Sequence, residues 1–225
     1  WGRVAAALVG HVLEDLARRG VRIAQSLVDA SSPPRAARDL TRGGLPPITE
    51  LTYLTRETSE VLDVGPGVPP LHWSVYDEAT RDDFAEVLRE SYRGSLDMPE
   101  LEGVRSLDDV LASHRSGGPF DPARWQVGRL DGEPGAAAIV LLSSLVERTV
   151  WEVAYLGLTP QARGRGLGRV ALAHALSLAR PHAGRLELAV DVRNTPAERL
   201  YRAAGFRRFD RRAVHLAVLD NQDSG

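Results

Sequence analysis

The chain has 225 residues, 43% hydrophobic and 26% charged, which excludes wholesale disorder and leaves room for one large domain or two small ones. A net charge of −2 gives no global case for nucleic acid or an anionic membrane. Cys is absent and all 28 basic residues are Arg, which rules out disulfides, thiolate zinc sites, a cysteine nucleophile, lysine Schiff bases and a Walker-type lysine.

In chain order, Arg3 to Arg19 carries Val4, Leu8, Val12, Leu13 and Leu16 at helical spacing, with Gly20 as a stop. Val21 to Val28 alternates like a strand. Ser31-Ser32-Pro33-Pro34 opens a short helix that ends at Gly43-Gly44, and Leu51 to Leu54 reads as a second strand. Val61 to Pro70, VLDVGPGVPP, is Pro/Gly punctuation of the kind that separates domains. Beyond it the pattern predicts a strand over Leu71 to Tyr76 and a helix over Thr80 to Tyr92, with Thr80 as N-cap. Ser106 to His114 starts another helix on its SLDD capping pattern. Strands follow at Trp125 to Leu130, Ala136 to Leu142 and Val150 to Leu158, the first two joined by the turn Asp131-Gly132. The last elements are a helix Leu167 to Ala179, a strand Leu186 to Val192, a helix Pro196 to Ala204 and a strand near Ala213 to Leu219. This order is a mixed α/β arrangement.

The chain also repeats itself. Gly2-Arg3-Val4 opens a helix as Gly168-Arg169-Val170 does, and RAARDLTRGGL (Arg35 to Leu45) lies over PAERLYRAAGF (Pro196 to Phe206) without gaps. Duplication explains this; so does the general likeness of amphipathic helix–strand pairs. The division expected is a partial, degenerate unit at 1–60, a linker at 61–70 and a complete domain at 71–225.

The most informative stretch runs from Val150 to Ala179 as strand, Pro-marked turn, glycine-rich loop and amphipathic helix. Gly164, Gly166 and Gly168 alternate with Arg165 and Leu167, so consecutive N–H groups converge at the positive end of the next helix. Arg163, Arg165 and Arg169 add charge-assisted donors. This is an anion cradle suited to a phosphate or pyrophosphate. A tight structural turn is the bland alternative. A dinucleotide loop G-x-G-x-x-G would need glycine where Arg169 stands, and three successive strands precede the loop.

Gln161-Ala162-Arg163-Gly164-Arg165-Gly166 resembles the Q/R-x-x-G-x-G/A signature of the GNAT acetyltransferase superfamily, in the required strand–loop–helix context. VDVRNTPAERLYRAAGF, Val190 to Phe206, resembles that family's later strand, Asn turn and Tyr-bearing helix. The resemblance covers Leu71 to about Asp220, and the repeat gives the whole a likeness to mycothiol-synthase-like proteins with two such units. It implies an α/β GNAT fold: a mixed, mostly antiparallel sheet flanked by helices, preceded by a degenerate half-unit.

The resemblance further implies acetyl-CoA as co-substrate. Its pyrophosphate would be held by Arg163, Gly164, Arg165, Gly166, Leu167 and Gly168, and its pantetheine by the splayed strand at Leu156, Gly157 and Leu158. Gly157 suits a bulge or a close backbone approach. Asn194 matches the family's CoA-contacting Asn, or is an Asx turn capping the next helix. Tyr201 sits where the family places the acid for the departing thiolate; by itself a Tyr beside Leu200 is core packing. Leu40 occupies that position in the N-terminal repeat. Glu152 is the candidate base, or else a solvated edge residue. An alkyl ammonium has a pKa of about 10, so acyl transfer to an amine requires a proton acceptor. Backbone N–H groups at Leu156 to Leu158 would hold the oxyanion.

The six histidines, at 11, 72, 114, 174, 182 and 215, have no ligand spacing, so no metal is expected. Arg207, Arg208, Arg211 and Arg212 read as a solvated hairpin or as contacts to an adenosine 3′-phosphate. In the loop Arg93 to Gly103, Asp97, Glu100 and Glu102 suit a cationic acceptor. The expected activity is N-acetyl transfer from acetyl-CoA to a primary amine of a small molecule or peptide; the alternative is a non-catalytic acyl-CoA-binding regulatory module. The longest small-or-apolar run, Gly135 to Leu142, is too short to cross a bilayer. No signal-peptide pattern opens the chain, so a cytoplasmic monomer or homodimer is expected, without nucleic-acid or membrane partners. The all-Arg basic set points to a GC-rich bacterial gene. With no Met at its start, Trp1 reads as a processing boundary with chain upstream.

Overall fold

In the computed structural model, residues 2–104, 107–116, 119–145 and 149–219 are described. The N-terminal part runs α1 (Gly2–Arg18), β1 (Ile23–Asp29), α2 (Pro34–Arg42) and β2 (Pro47–Glu57). Then come β3 (His72–Val75), α3 (Arg81–Tyr92), α4 (Leu107–Ser116), β4 (Trp125–Arg129), β5 (Ala138–Leu145) and β6 (Val150–Leu158). The chain finishes with α5 (Leu167–Ala179), β7 (Arg185–Asp191), α6 (Thr195–Ala203) and β8 (Arg207–Val218).

One 8-stranded sheet has the order β1-β8-β2-β7-β6-β5-β4-β3. Its neighbours are antiparallel except β6 and β7, which run parallel. This is the mixed α/β sheet flanked by helices that the element order predicts. β2 lies between β7 and β8, and β8 is bonded only to β1 and β2, so the C-terminal strand joins the sheet through residues of the N-terminal part.

Alternation along each strand divides the core in two. On one face, the α5 stripe Leu167, Ala171, Leu172, Ala175, Leu176 and Ala179 is buried against Val140, Leu142, Val153, Leu186, Leu188 and Val190. On the other face, Phe84, Leu88 and Leu111 of α3 and α4 cover Val127, Ile139 and Leu141. Truncating one such buried leucine to alanine costs about 2–5 kcal/mol. Residues 61–70 run across the first core, with Leu62 buried in it and Val68 packed on it. Among the described residues, no helix is long and apolar enough to cross a membrane.

Three local expectations change. Thr80 precedes α3 but makes no side-chain bond to its N–H groups; it is tied to Asp77 instead, donating its N–H to Oδ1 at 2.6 Å and accepting from the Asp77 N–H at 3.1 Å. Arg207, Arg208, Arg211 and Arg212 are not a hairpin: they lie along β8, where a bulge at Phe209 opposes β2, and Arg211 pairs with Glu50 at 2.7 Å. Ser106, the expected start of α4, lies outside the described residues.

Candidate functional site

β6 and β7 pair only at Val150–Arg185, Trp151–Leu186 and Glu152–Glu187. Beyond those positions β7 follows β2, and β6 stays with β5, so the two strands part. A register shift in the β5–β6 ladder leaves Ala154 as the extra residue, and bulges of this kind bend a strand. The bulge is therefore at Ala154, not at Gly157. Gly157 is required for close approach: a Cβ there would lie 2.6 Å from the Tyr155 ring and 2.7 Å from the Ser91 hydroxyl.

After β6, a 3₁₀ turn at Pro160–Ala162 leads to Gly164 at φ +74° and Gly166 at φ +81°, the latter N-capping α5 with no side chain to satisfy its donors. The N–H groups of Gly164, Arg165, Gly166, Leu167 and Gly168 consequently have no hydrogen-bond partner among the described residues. They sit at the positive end of the α5 dipole. The Arg side chains divide. Arg165 is held by Glu133 at 2.7 and 3.0 Å, which neutralises it. Arg163 donates to the carbonyls of Ser91, Gly94 and Leu158, and Arg169 to those of Asp63 and Ala203. Carbonyl partners leave both charges uncompensated, which favours an anion.

The cradle opens onto a cleft of about 770 Å³ between the free edge of β6, the start of α5, α6 and the 94–97 loop. Leu156, Gly157, Leu158, Asn194 and Tyr201 line it with the cradle. Tyr201 is buried against Phe206, and its hydroxyl makes no hydrogen bond among the described residues. Burial, then nearby Asp97, pushes its phenol well above the usual range, so it stays protonated. Asn194 N-caps α6 by accepting from the Ala197 N–H at 3.2 Å, and donates to Asp97 Oδ2 at 2.7 Å. The capping geometry is thus present, on the wall of the cleft.

Two features of the wall carried no sequence signal. Tyr155 donates or accepts with the Ser91 hydroxyl at 2.9 Å and stacks on Tyr92. The 93–102 loop is latched to the end of β7 by Asp191, which is fully buried and accepts from Thr49 (2.7 Å), the Met98 N–H (3.2 Å) and Arg193 (2.7 Å). Burial alone would raise the Asp191 carboxyl, but these bonds outweigh it and hold it below the ordinary value. Met98 adopts φ +46° there, an uncommon conformation that the latch sustains. Of the three loop acids, Asp97 lines the cleft, Glu100 is paired to Arg193, and Glu102 accepts from the Gly94 N–H.

Glu152 is not in that lining. It stands where β6 and β7 part, on the α3/α4 face, with its carboxyl raised by burial and then by Glu187. Among the described residues no group of three or more His, Cys, Asp or Glu side chains is placed to hold a metal ion.

The description Acetyltransferase (GNAT) family fits residues 82–206, more than half of the chain. A mycothiol acetyltransferase of Beutenbergia cavernae is 34% identical over 107 residues, spanning 47% of this chain and 35% of that protein, so the match covers about a third of the relative. A GCN5-related N-acetyltransferase structure from Sphaerobacter thermophilus has a TM-score of 0.61 at 18% identity, over 88% of this chain and 60% of that one. A tandem GNAT protein from the clavulanic acid biosynthesis pathway has a TM-score of 0.60 at 18% identity, over 96% of this chain and 70% of its own. At such identities the two structures establish the fold, and the match over residues 82–206 establishes the kinship: the chain belongs to the acetyltransferase (GNAT) family.

Proposed function

We propose that this protein is an acetyl-CoA-dependent N-acetyltransferase acting on a primary amine of a small molecule or peptide. The observation that carries the reading is the run of five unpartnered N–H groups, 164–168, at the N-terminus of α5. They open onto a cleft whose other wall is the unpaired edge of β6. The cradle suits a pyrophosphate and the strand edge suits an amide-bearing arm laid beside it. Together they fit a coenzyme A thioester, which supplies an activated acetyl group when bound.

The chain's own residues then divide the work. Gly164, Gly166, Gly168 and the N–H groups of Arg163, Arg165 and Leu167 hold the pyrophosphate end. Leu156, Gly157 and Leu158 hold the pantetheine arm and offer main-chain N–H to developing negative charge on the carbonyl oxygen. Glu152, its carboxyl raised above the ordinary value by burial and then by Glu187, takes a proton from the acceptor ammonium. Tyr201, kept protonated by burial, delivers one to the leaving sulfur. Asn194 orients the start of α6 so that Tyr201 faces the cleft. We place this chemistry in a bacterial cytoplasm, in a monomer or homodimer without nucleic-acid or membrane partners. We further propose that residues 1–60 are a degenerate GNAT-like half-unit with a structural role, joined through 61–70 to the catalytic unit at 71–225; no cradle-like loop occurs in it and Leu40 replaces the tyrosine.

The test is to incubate the protein with acetyl-CoA and a panel of amines, following free thiol and acetylated product. Thiol release that depends on one class of amine supports the reading. Tight acetyl-CoA binding with no amine-dependent release refutes it in favour of an acyl-CoA-binding module.

A further inference from the structure

The ladder registers bring four polar side chains into one row across the sheet. Ser143 on β5 is opposite Glu152 on β6, Glu152 is opposite Glu187 on β7, and Glu187 is opposite Thr55 on β2. Paired residues point to the same face, and here the face is settled by their neighbours. Val153, Leu186 and Leu188 enter the α5 core, while Ile139 and Leu141 enter the α3/α4 core, so the row lies on the α3/α4 side. Adjacent strands are about 4.8 Å apart, which sets the two glutamates side by side.

Among the described residues nothing satisfies this row. Neither glutamate forms an ion pair or side-chain hydrogen bond among the described residues. Ser143 is 7% exposed, yet its hydroxyl has no partner, and the buried Thr55 hydroxyl has none either. Buried hydroxyls are normally bonded, so two orphans flanking two unpaired carboxyls mark a place for a donor-rich cation. The position is equally specific. Glu152 and Glu187 are the last paired residues before β6 and β7 part, so the row closes the apex of the gap that begins at the cradle.

We propose that Ser143, Glu152, Glu187 and Thr55 form the subsite for the acceptor's ammonium, with Glu187 the residue that selects a cationic acceptor. This rests on the acetyl-transfer reading above. An ammonium has three donors; it bridges the two carboxyls and reaches one hydroxyl, and a neutral alcohol offers only one. Thr55 comes from the N-terminal part of the chain, which therefore contributes to acceptor choice. The other titratable groups on this face of β7, β2 and β8 are Arg185 and Asp191 on β7, Glu57 opposite Arg185 on β2, Tyr53, with Arg212 over its ring and paired to Asp210, and Arg207 at the register position beside Thr55. From the α3/α4 side, Tyr155 stands close to Tyr92 and His114. Glu187 is the carboxylate that raises Glu152 after burial itself.

The test is Glu187→Gln, assayed with acetyl-CoA against spermidine, glucosamine and a lysine-bearing peptide. Losing one charged partner should raise KM for the amine about 10- to 150-fold. KM for acetyl-CoA should not move, and the acid limb of kcat/KM should shift to lower pH as Glu152 loses its like-charged neighbour. A wild-type amine KM and pH profile in Glu187→Gln, with transfer intact, overturns the subsite and leaves the acetyl-transfer reading standing. Acetyl-CoA binding without transfer to any of the three amines counts against both. If Glu187→Gln does not fold, Ser143→Ala keeps both carboxyls and should raise amine KM about 2- to 10-fold with a native circular-dichroism spectrum; no change there overturns the proposal.

Discussion

Gly164→Ala separates the cradle from a structural turn. Gly164 has φ +74°, and an added Cβ would meet nothing within 4 Å, so the substitution creates no packing clash. The folded state pays only for a left-handed alanine, about 1–2 kcal/mol, or roughly 2–8 °C in Tm for a chain of this length. Gly65, at φ +79° with nothing within 4 Å of its Cβ, provides the matched control in the 61–70 segment. Gly65→Ala should lose the same stability. The two variants diverge on ligand. Gly164→Ala adds a methyl within the run of five unpartnered N–H groups, and the expected cost is one charge-assisted bond to the ligand. At about 1.5–3 kcal/mol per such bond, the affinity for acetyl-CoA falls about 10- to 150-fold. Isothermal titration calorimetry on both variants measures this, with Tm as the check on strain. Equal affinities in wild type, Gly65→Ala and Gly164→Ala would mean that 164–168 is a turn and binds no phosphate.

Tyr201→Phe removes one hydroxyl and keeps the ring on Phe206, so kcat should fall about 10²–10⁴-fold at unchanged acetyl-CoA affinity; a loss under about threefold in steady-state kinetics would assign Tyr201 to packing alone. Gly157→Ala puts a methyl against the Tyr155 ring and Ser91, and overpacking there should cost about 1–3 kcal/mol in a denaturant melt. Glu152 carries a pH signature. A carboxyl held above 4.5 binds its proton more tightly in the folded state, so stability falls as pH rises from 4.5 through the raised folded value. Glu152→Gln should therefore match wild type below pH 4.5 and melt higher above that window, and identical melting temperatures at neutral pH would show that burial does not strain this carboxyl.

What could be read from the sequence was what local rules govern. β6 and α5 lie where alternation and helical spacing place them, with Pro160, Gly164 and Gly166 punctuating the junction between them. The cradle was legible for the same reason. β8 was not: Arg207, Arg208, Asp210, Arg211 and Arg212 read as solvated, and only pairing to β1 and β2 makes them strand. The insertion of β2 between β7 and β8 depends on partners more than 120 residues away in sequence, which no local pattern encodes. Glu187 looked like the polar half of an ordinary alternation, and its meaning comes from a register with Glu152 that the sequence does not state. Asp97 stood among three equivalent loop acids until the Asp191 latch turned it toward the cleft.

In the proposed activity, residues 163–168 and the free edge of β6 bind a coenzyme A thioester. Thermal unfolding of the whole chain with increasing acetyl-CoA tests it most directly. At a concentration about 100 times the dissociation constant, stability should rise by about 2.7 kcal/mol, and S-acetylpantetheine, which lacks the pyrophosphate, should produce no shift at the same concentration. A Tm that does not move at any acetyl-CoA concentration would mean that the cradle and the strand edge bind no coenzyme A thioester.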